Sequence, residues 1–322
     1  MSARTRGRVD GLPEWDRCAV MGVVNVTPDS FSDGGRWFDT EGAVKHGLDL
    51  VAQGADLVDV GGESTRPGAA RVSEAEELRR VLPVVRGLAE EGAVVSVDTM
   101  RASVAERAVA AGAVLVNDVS GGLADPEMIP AVAEAGVPFV VMHWRGQSID
   151  MNNRAVYTDV VGEVIAELRD AVDRAVEGGI APARIVVDPG LGFAKRAEHD
   201  LALVAALARL RTDLSHPLLV AASRKRFLGR VLADEHGTTP PPARERDAAT
   251  AAVSALSARE GAWAVRVHEV RASADAVRVA HAIETAAPSP GSPASGTQAP
   301  GSPGSRTPRT EDPGTKDTEA PR

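Results

Sequence analysis

From Ala19 onward, short runs of Val, Ile and Leu alternate with longer stretches in which apolar residues recur at helical spacing among Ala, Glu and Arg. Runs of the first kind read as strands and stretches of the second kind as helices. The predicted strands are Ala19–Val26, Leu57–Gly61, Val94–Asp98, Val114–Asp118, Phe139–His143, Ile185–Asp188, Leu218–Ala222 and Ala264–His268. The predicted helices are Thr40–Gln53, Ser73–Glu91, Ser103–Ala111, Pro126–Ala135, Val160–Glu177, His199–Arg209, Arg246–Arg259 and Ser273–Ala286. Ser73-Glu74-Ala75-Glu76 places a hydroxyl three residues ahead of a carboxylate, the pattern that satisfies free amides at a helix start.

Eight strand-helix units over about 270 residues match the count and size of a closed (β/α)8 barrel, the TIM-barrel fold. A doubly wound open sheet has fewer strands and carries a phosphate fingerprint after the first of them. In a barrel the C-terminal ends of the strands face the substrate. Asn25, Asp59, Asp98, Asn117, Asp188, Lys225 and His268 all fall at or just beyond such ends, inside or after otherwise apolar runs. Buried carboxylates there need hydrogen-bond donors, and a heterocycle rich in N–H groups would supply them. Arg266 and His268 lie two residues apart on one strand, so their side chains leave on the same face and one anion could touch both.

Two loops at this face are polar and rich in glycine. Gly61-Gly62-Glu63-Ser64-Thr65-Arg66-Pro67-Gly68 offers a hydroxyl and a guanidinium fork on a chain stiffened by proline, a combination suited to an anion. Asn25 through Gly35 mixes oxygen donors, Phe31 and glycines, which suits a lid over a charged substrate. Asn25 and Asp33 carry hard oxygen donors that favour Mg²⁺, although their spacing is no metal fingerprint. The stretch from Asp234 to Asp247, with Pro240-Pro241-Pro242, reads as a solvent-exposed insertion without a catalytic role.

Composition narrows the class. Of 322 residues, 43% are hydrophobic and 25% charged, as in an ordinary soluble domain, and the net charge of -9 argues against a general affinity for nucleic acid. A single cysteine, Cys18, excludes an intrachain disulfide and a cysteine-ligated zinc site, which fits a reducing cytoplasm. No apolar run is long enough to span a bilayer. Residues 1–17 lack the apolar segment of a secretory signal and are expected to be flexible, with the barrel over 18–286. Past Ala287, 8 of the 21 prolines lie among Ser, Gly, Thr and charges, so 287–322 is expected to be a disordered tail.

With these residues placed, the chain from about Met21 to Ile283 resembles the dihydropteroate synthases, the folate-pathway enzymes that sulfonamides inhibit. The resemblance rests on Met21 through Gly35, on Asp59 through Gly68, on Asp188-Pro189-Gly190-Leu191-Gly192-Phe193, on Ser223-Arg224-Lys225 and on Arg266-Val267-His268, in that order and at matching strand ends. It implies condensation of 6-hydroxymethyl-7,8-dihydropterin diphosphate with 4-aminobenzoate to give 7,8-dihydropteroate and diphosphate. By similarity, Asp98, Asn117, Asp188 and Lys225 hold the pterin, with Asp59 near the same pocket. Arg266 would stack on the pterin and border the diphosphate, with Asn25, Arg66 and His268 around the anion and Mg²⁺ held through Asn25 and the Asp33 loop. Phe31, Thr65, Pro67, Phe193, Ser223 and Lys225 would surround 4-aminobenzoate, with Ser223 and a helix N-terminus receiving its carboxylate.

Relatives of this kind are commonly homodimers. Ala221-Ala222 stand where many of them have a glycine, which removes no polar group. Two other readings remain: a pterin-binding paralogue without turnover, and a barrel that moves a methyl group from methyltetrahydrofolate to a corrinoid.

Overall fold

Each of the eight apolar runs becomes a strand, because a short run this rich in Val, Ile and Leu can be covered on both faces only inside a parallel sheet wrapped by helices. The computed structural model describes residues 6–27, 40–63, 71–146, 154–233 and 239–286. Along the chain come β1 (Ala19–Asn25), α1 (Thr40–Ala52), β2 (Leu57–Gly61), α2 (Glu74–Glu90), β3 (Val95–Asp98), α3 (Ala102–Ala110), β4 (Leu115–Asp118), α4 (Met128–Ala135) and β5 (Phe139–Met142). They are followed by α5 (Val160–Glu177), β6 (Ile185–Asp188), α6 (Ala197–Ala205), α7 (Leu207–Leu214), β7 (Leu219–Val220), α8 (Arg226–Val231), α9 (Asp247–Arg259), β8 (Ala264–Val267) and α10 (Val270–Ala286). The strands are all parallel, in the order β6-β5-β4-β3-β2-β1-β8-β7. A single parallel bridge between Val187 and Leu218 brings β6 and β7 together and closes the ring. This is the (β/α)8 barrel that the sequence predicts.

Strand alternation divides the barrel into two cores. Residues such as Val20, Val58, Val97, Val141 and Val187 point outward and are buried under the helices. Met21, Leu57, Leu115, Val140, Val186, Leu219 and Ala264 point inward and meet Trp263, Val9 and Leu12 at the N-terminal end of the barrel. Trp15 lies against Trp263 with ring centroids 5.9 Å apart. Residues 6–17 therefore form the floor of the barrel, with Val9 and Leu12 buried, rather than moving freely as the sequence suggested. The side of the floor that meets the inner core is apolar.

Boundaries shift by one to three residues, the most at the start of α10, and two elements differ in kind. The predicted helix His199–Arg209 is instead two helices, α6 and α7, which meet at Ala206. There the Ala206 amide is shared between the carbonyls of Ala202 and Leu203, each 3.1 Å away, which tightens the turn and redirects the axis. α6 also starts earlier, at Ala197, because His199 Nδ1 accepts from the Arg196 amide at 3.2 Å and closes the helix start in place of the usual acid. The short helix α8 was not predicted, since six residues give too little periodicity to read. Ser73 does cap α2, accepting from the Glu76 amide at 3.3 Å, while the Glu76 carboxylate turns to Arg79 and Arg80. Residues 287–322 lie outside the described residues.

Trp263 is 4% exposed and roofs the inner core from below. Trp263→Ala is expected to lower the unfolding free energy by about 3–5 kcal/mol, measured by urea denaturation. Trp15→Ala, which removes a half-buried ring from the outer side of the same floor, is expected to cost clearly less.

Candidate active site

The inward-pointing positions change character as the strands rise. On β2 the inward residue after Leu57 is Asp59, on β4 the one after Leu115 is Asn117, and on β6 the one after Val186 is Asp188. β3 and β8 contribute Asp98 and Arg266 to the same level. Arg266 Nε donates to Asp59 Oδ2 at 2.6 Å and Nη2 to Asp98 Oδ2 at 2.8 Å, so the guanidinium bridges two carboxylates. Asn117 Nδ2 donates to the same Asp59 oxygen at 2.9 Å. Asp59 Oδ1 is buried and has no partner among the described residues.

Burial is the main force on the titration of Asp98, Asp188 and Lys225. It raises Asp98 to about 7, against the pull of Arg266 and with the help of Asp59. Burial also raises Asp188, opposed by Lys225, while Lys225 is pushed down to about 8 by burial and held up in part by Asp188. Among the described residues the one acceptor of this pocket left without a donor is Asp59 Oδ1.

The loop after β6 forms one wall. Asp188 Oδ1 accepts from the Gly190 amide at 2.7 Å, and Gly190 takes a φ of 66°. A Cβ built there would stand 2.3 Å from the His143 carbonyl oxygen, so no side chain fits. The Leu191 carbonyl accepts from Lys225 Nζ, which lies 4.8 Å from the centre of the Phe193 ring. Lys225 is thus set against both the backbone and the ring of the opposite loop.

The turn that delivers Lys225 is braced from behind. Arg224 has a φ of 60° and its guanidinium makes a paired contact with Asp247, at 2.7 Å on each side. Arg246 Nη1 donates to the carbonyls of Arg224 at 3.0 Å and Lys225 at 3.3 Å. The end of the proline-containing stretch is therefore a support for the site, not the mere exposed insertion its composition suggested. Residues 234–238 lie outside the described residues.

The pterin binding enzyme family model matches residues 21–268, which take in β2 to β8 and all of β1 but its first two residues. A dihydropteroate synthase of Mycobacterium leprae is 57% identical over 261 residues, covering 81% of this chain and 91% of that one. The Xanthomonas albilineans dihydropteroate synthase solved with 4-aminobenzoic acid superposes with a TM-score of 0.77 at 45% identity, covering 85% of this chain and 95% of that one. The same organism's enzyme in complex with 7,8-dihydropteroate gives a TM-score of 0.76 at 41% identity, covering 87% and 98% respectively. The chain belongs to the dihydropteroate synthase family.

Of the residues that the family motifs single out here, the structure brings Asp59, Asp98, Asn117 and Arg266 into direct contact, and seats Asp188, Phe193 and Lys225 along the next wall. Asn25 ends β1 at the mouth and is half-buried. Arg266 and His268 have different protein partners: Arg266 turns to the two carboxylates, whereas His268 Nδ1 lies 2.9 Å from Ser223 Oγ, which also accepts from the His268 amide at 3.1 Å. Phe31, Asp33, Thr65, Arg66 and Pro67 lie outside the described residues.

Sequence reading passed over two polar clusters beside this dihydropteroate synthase pocket. Arg101, after β3, pairs with both Glu63 and Glu77, donates to the Val72 carbonyl at 2.7 Å, and so ties the ends of the loop after β2 to α2. Glu77 is 1% exposed and also accepts from Thr99 at 2.6 Å. On the other side, Lys195 and His143 are buried together at 2.9 Å. The signal for the second cluster was a lysine two residues past Phe193, just beyond the end of a recognised motif. Gly190→Ala is expected to destabilise the fold by more than about 1 kcal/mol in thermal melting, because alanine cannot take this φ without strain.

Proposed function

We propose that the protein joins 6-hydroxymethyl-7,8-dihydropterin diphosphate to 4-aminobenzoate, forming 7,8-dihydropteroate and releasing diphosphate. The observation that carries this reading is the set of buried acceptors, Asp59, Asp98 and Asp188, one of which leaves Oδ1 without a donor among the described residues. The aminopyrimidinone edge of a pterin presents the adjacent N–H groups that such acceptors require. Family membership, and the 4-aminobenzoic acid and 7,8-dihydropteroate bound in the Xanthomonas albilineans structures, support the same substrates.

In this reading Asp188 accepts from the pterin edge while Lys225 donates to its ring oxygen and nitrogen, and Asn117 and Asp98 hold the opposite side. Arg266, its plane fixed by two carboxylates, lies against the pterin and borders the diphosphate. The carbon–oxygen bond to diphosphate breaks first and the leaving group keeps the electron pair. Three buried carboxylates then stabilise the cation spread over the pterin. The amine nitrogen of 4-aminobenzoate bonds to the methylene carbon and afterwards loses a proton to solvent, so no strong general base is needed. Phe193 offers an apolar face to the aromatic ring, and Ser223 lies where its carboxylate would arrive.

We infer that Asn25, with Asp33, holds Mg²⁺. Asn25 offers one hard amide oxygen at the mouth, and no group of three or more His, Cys, Asp or Glu is assembled among the described residues. That fits a cation that keeps most of its shell for substrate oxygens and water. When bound, Mg²⁺ supplies charge neutralisation to the departing diphosphate. A homodimer in the cytoplasm completes the reading. A buried lone cysteine is in keeping with that compartment, and no described helix is long and apolar enough to cross a membrane.

Diphosphate release with the pterin substrate, Mg²⁺ and 4-aminobenzoate is the test. Release with dihydropteroate as product, lost by about 100-fold or more in Lys225→Ala, is expected for a group that contacts substrate throughout. Pterin binding without any product would favour a paralogue that no longer turns over. The raised Asp98 gives a pH signature: as pH falls through about 7 the carboxylate takes up a proton and stops accepting, so pterin affinity is expected to fall on the acid side. Asp98→Asn is expected to remove that limb and weaken binding throughout by about 1.5–3 kcal/mol, the contribution of a hydrogen bond to a charged group, as read by calorimetric titration.

A further inference from the structure

Behind the wall formed by the β6 loop lies the buried pair Lys195 and His143, which the reaction above does not use. Lys195 is 9% exposed and its Nζ meets three acceptors: His143 Nδ1 at 2.9 Å, the Gly190 carbonyl at 3.0 Å and the Phe193 carbonyl at 3.0 Å. An ammonium has three hydrogens to give and a neutral amine two, so all three bonds exist together only in the charged form. With Nδ1 accepting, the His143 ring carries its hydrogen on Nε2, which lies 2.9 Å from Glu167 Oε2 on α5. Burial, and then Lys195, hold His143 down at about 4, so the ring is neutral and free to accept. Glu167 also takes Arg145, whose guanidinium lies 3.9 Å from the centre of the Tyr157 ring, and the Tyr157 hydroxyl donates to the Ala194 carbonyl at 3.1 Å.

The same few residues face the pocket on their other side. Gly190 donates to Asp188, the Leu191 carbonyl accepts from Lys225, and Phe193 lies under the Lys225 ammonium. Among the described residues Lys195 makes no hydrogen bond to a pocket side chain; it holds the backbone on both sides of the carbonyl that seats Lys225. We propose that Lys195 is a positioning residue of the pterin site, an internal ammonium that fixes the Gly190 and Phe193 carbonyls and through them the placement of Lys225 and the Phe193 ring. The proposal rests on the pterin reading for its consequence, though not for its geometry.

Its charge gives it a signature. Burial lowers Lys195 to about 7, with Asp200 and Asp188 opposing and Lys225 and Arg145 adding to the effect. The charged and titratable groups facing this cluster are His143 and Arg145 after β5, Tyr157 and Glu167 from the α5 side, Asp188 on β6, Asp200 on α6 and Lys225 after β7. Asp188 and Asp200, which accept from the Gly190 and Gly192 amides at 2.7 Å, gain acceptor strength as pH rises, because burial holds both carboxyls above their usual range. A neutral Lys225 would keep two hydrogens for the Leu191 carbonyl. Loosening of the loop with rising pH is thus expected from Lys195 and not from its neighbours.

Amide hydrogen exchange over residues 189–196 of the full chain, corrected for the intrinsic pH dependence of exchange, reads the loop, and calorimetric titration with the pterin diphosphate at pH 6.5 reads the site. Wild-type protection is expected to fall about tenfold or more between pH 6 and pH 8.5 as local opening becomes easier. Lys195→Met, which keeps the chain length and removes the charge, is expected to show low protection at every pH and to bind the pterin diphosphate about tenfold more weakly. Protection that is independent of pH in the wild type, or a Lys195→Met protein with wild-type protection and affinity, overturns the proposal. Should Lys195→Met fail to fold, the wild-type pH series decides alone. A wild-type protein that binds no pterin diphosphate would sink the substrate reading and leave the exchange measurement to judge Lys195.

Discussion

The interior of this barrel is organised by one cation shared between two carboxylates. Arg266 reaches from β8 across the ring to Asp59 on β2 and Asp98 on β3, and Asn117 on β4 joins the same oxygen of Asp59. Three charges taken out of water are tolerable only because each is paired, and removing the guanidinium alone would leave two carboxylates facing one another. The arrangement also fixes what the pocket lacks. With Arg266 and Asn117 both drawn to its other oxygen, Asp59 keeps Oδ1 without a donor among the described residues.

This polar tier is possible because the apolar tier below it is sealed. Met21, Leu57, Leu115 and Leu219 fill the lower barrel, and Val9, Leu12 and Trp263 close its end. The low dielectric that makes Asp98 hard to ionise is the same one that strengthens the attraction between its carboxylate and Arg266. Stability and chemistry are thus assigned to opposite ends of the same strands, with the period of two deciding which residues are available to each.

Much of this was legible in the sequence. Eight apolar runs separated by periodic stretches gave the barrel, and acids interrupting such runs at Asp59, Asp98 and Asp188 gave the pocket, because a charge inside a buried strand has few places to go. The identities of pairs were not legible. Nothing in the spacing of Arg266 and His268 says that one turns inward to carboxylates while the other turns to Ser223, since that choice depends on strands distant in the chain. Support from behind escaped for the same reason: Asp247 looked like part of an exposed stretch, and no motif or spacing marked Lys195 or Glu77. Their roles come from what the closed ring brings beside them. Helix ends closed by unusual partners, such as His199 at the start of α6, were likewise invisible to rules based on acids and hydroxyls.

The ring itself is held unevenly. Most neighbouring strands share ladders of several residues, whereas β6 and β7 meet through one bridge at Val187 and Leu218. Asp188 stands on one bank of that seam, and Lys225 follows the strand on the other. A ligand gripping both would act as a clasp, supplying across the gap the cohesion that the backbone leaves thin. Occupancy by such a ligand and integrity of the barrel would then be a single equilibrium, and the empty protein is expected to open first along this seam.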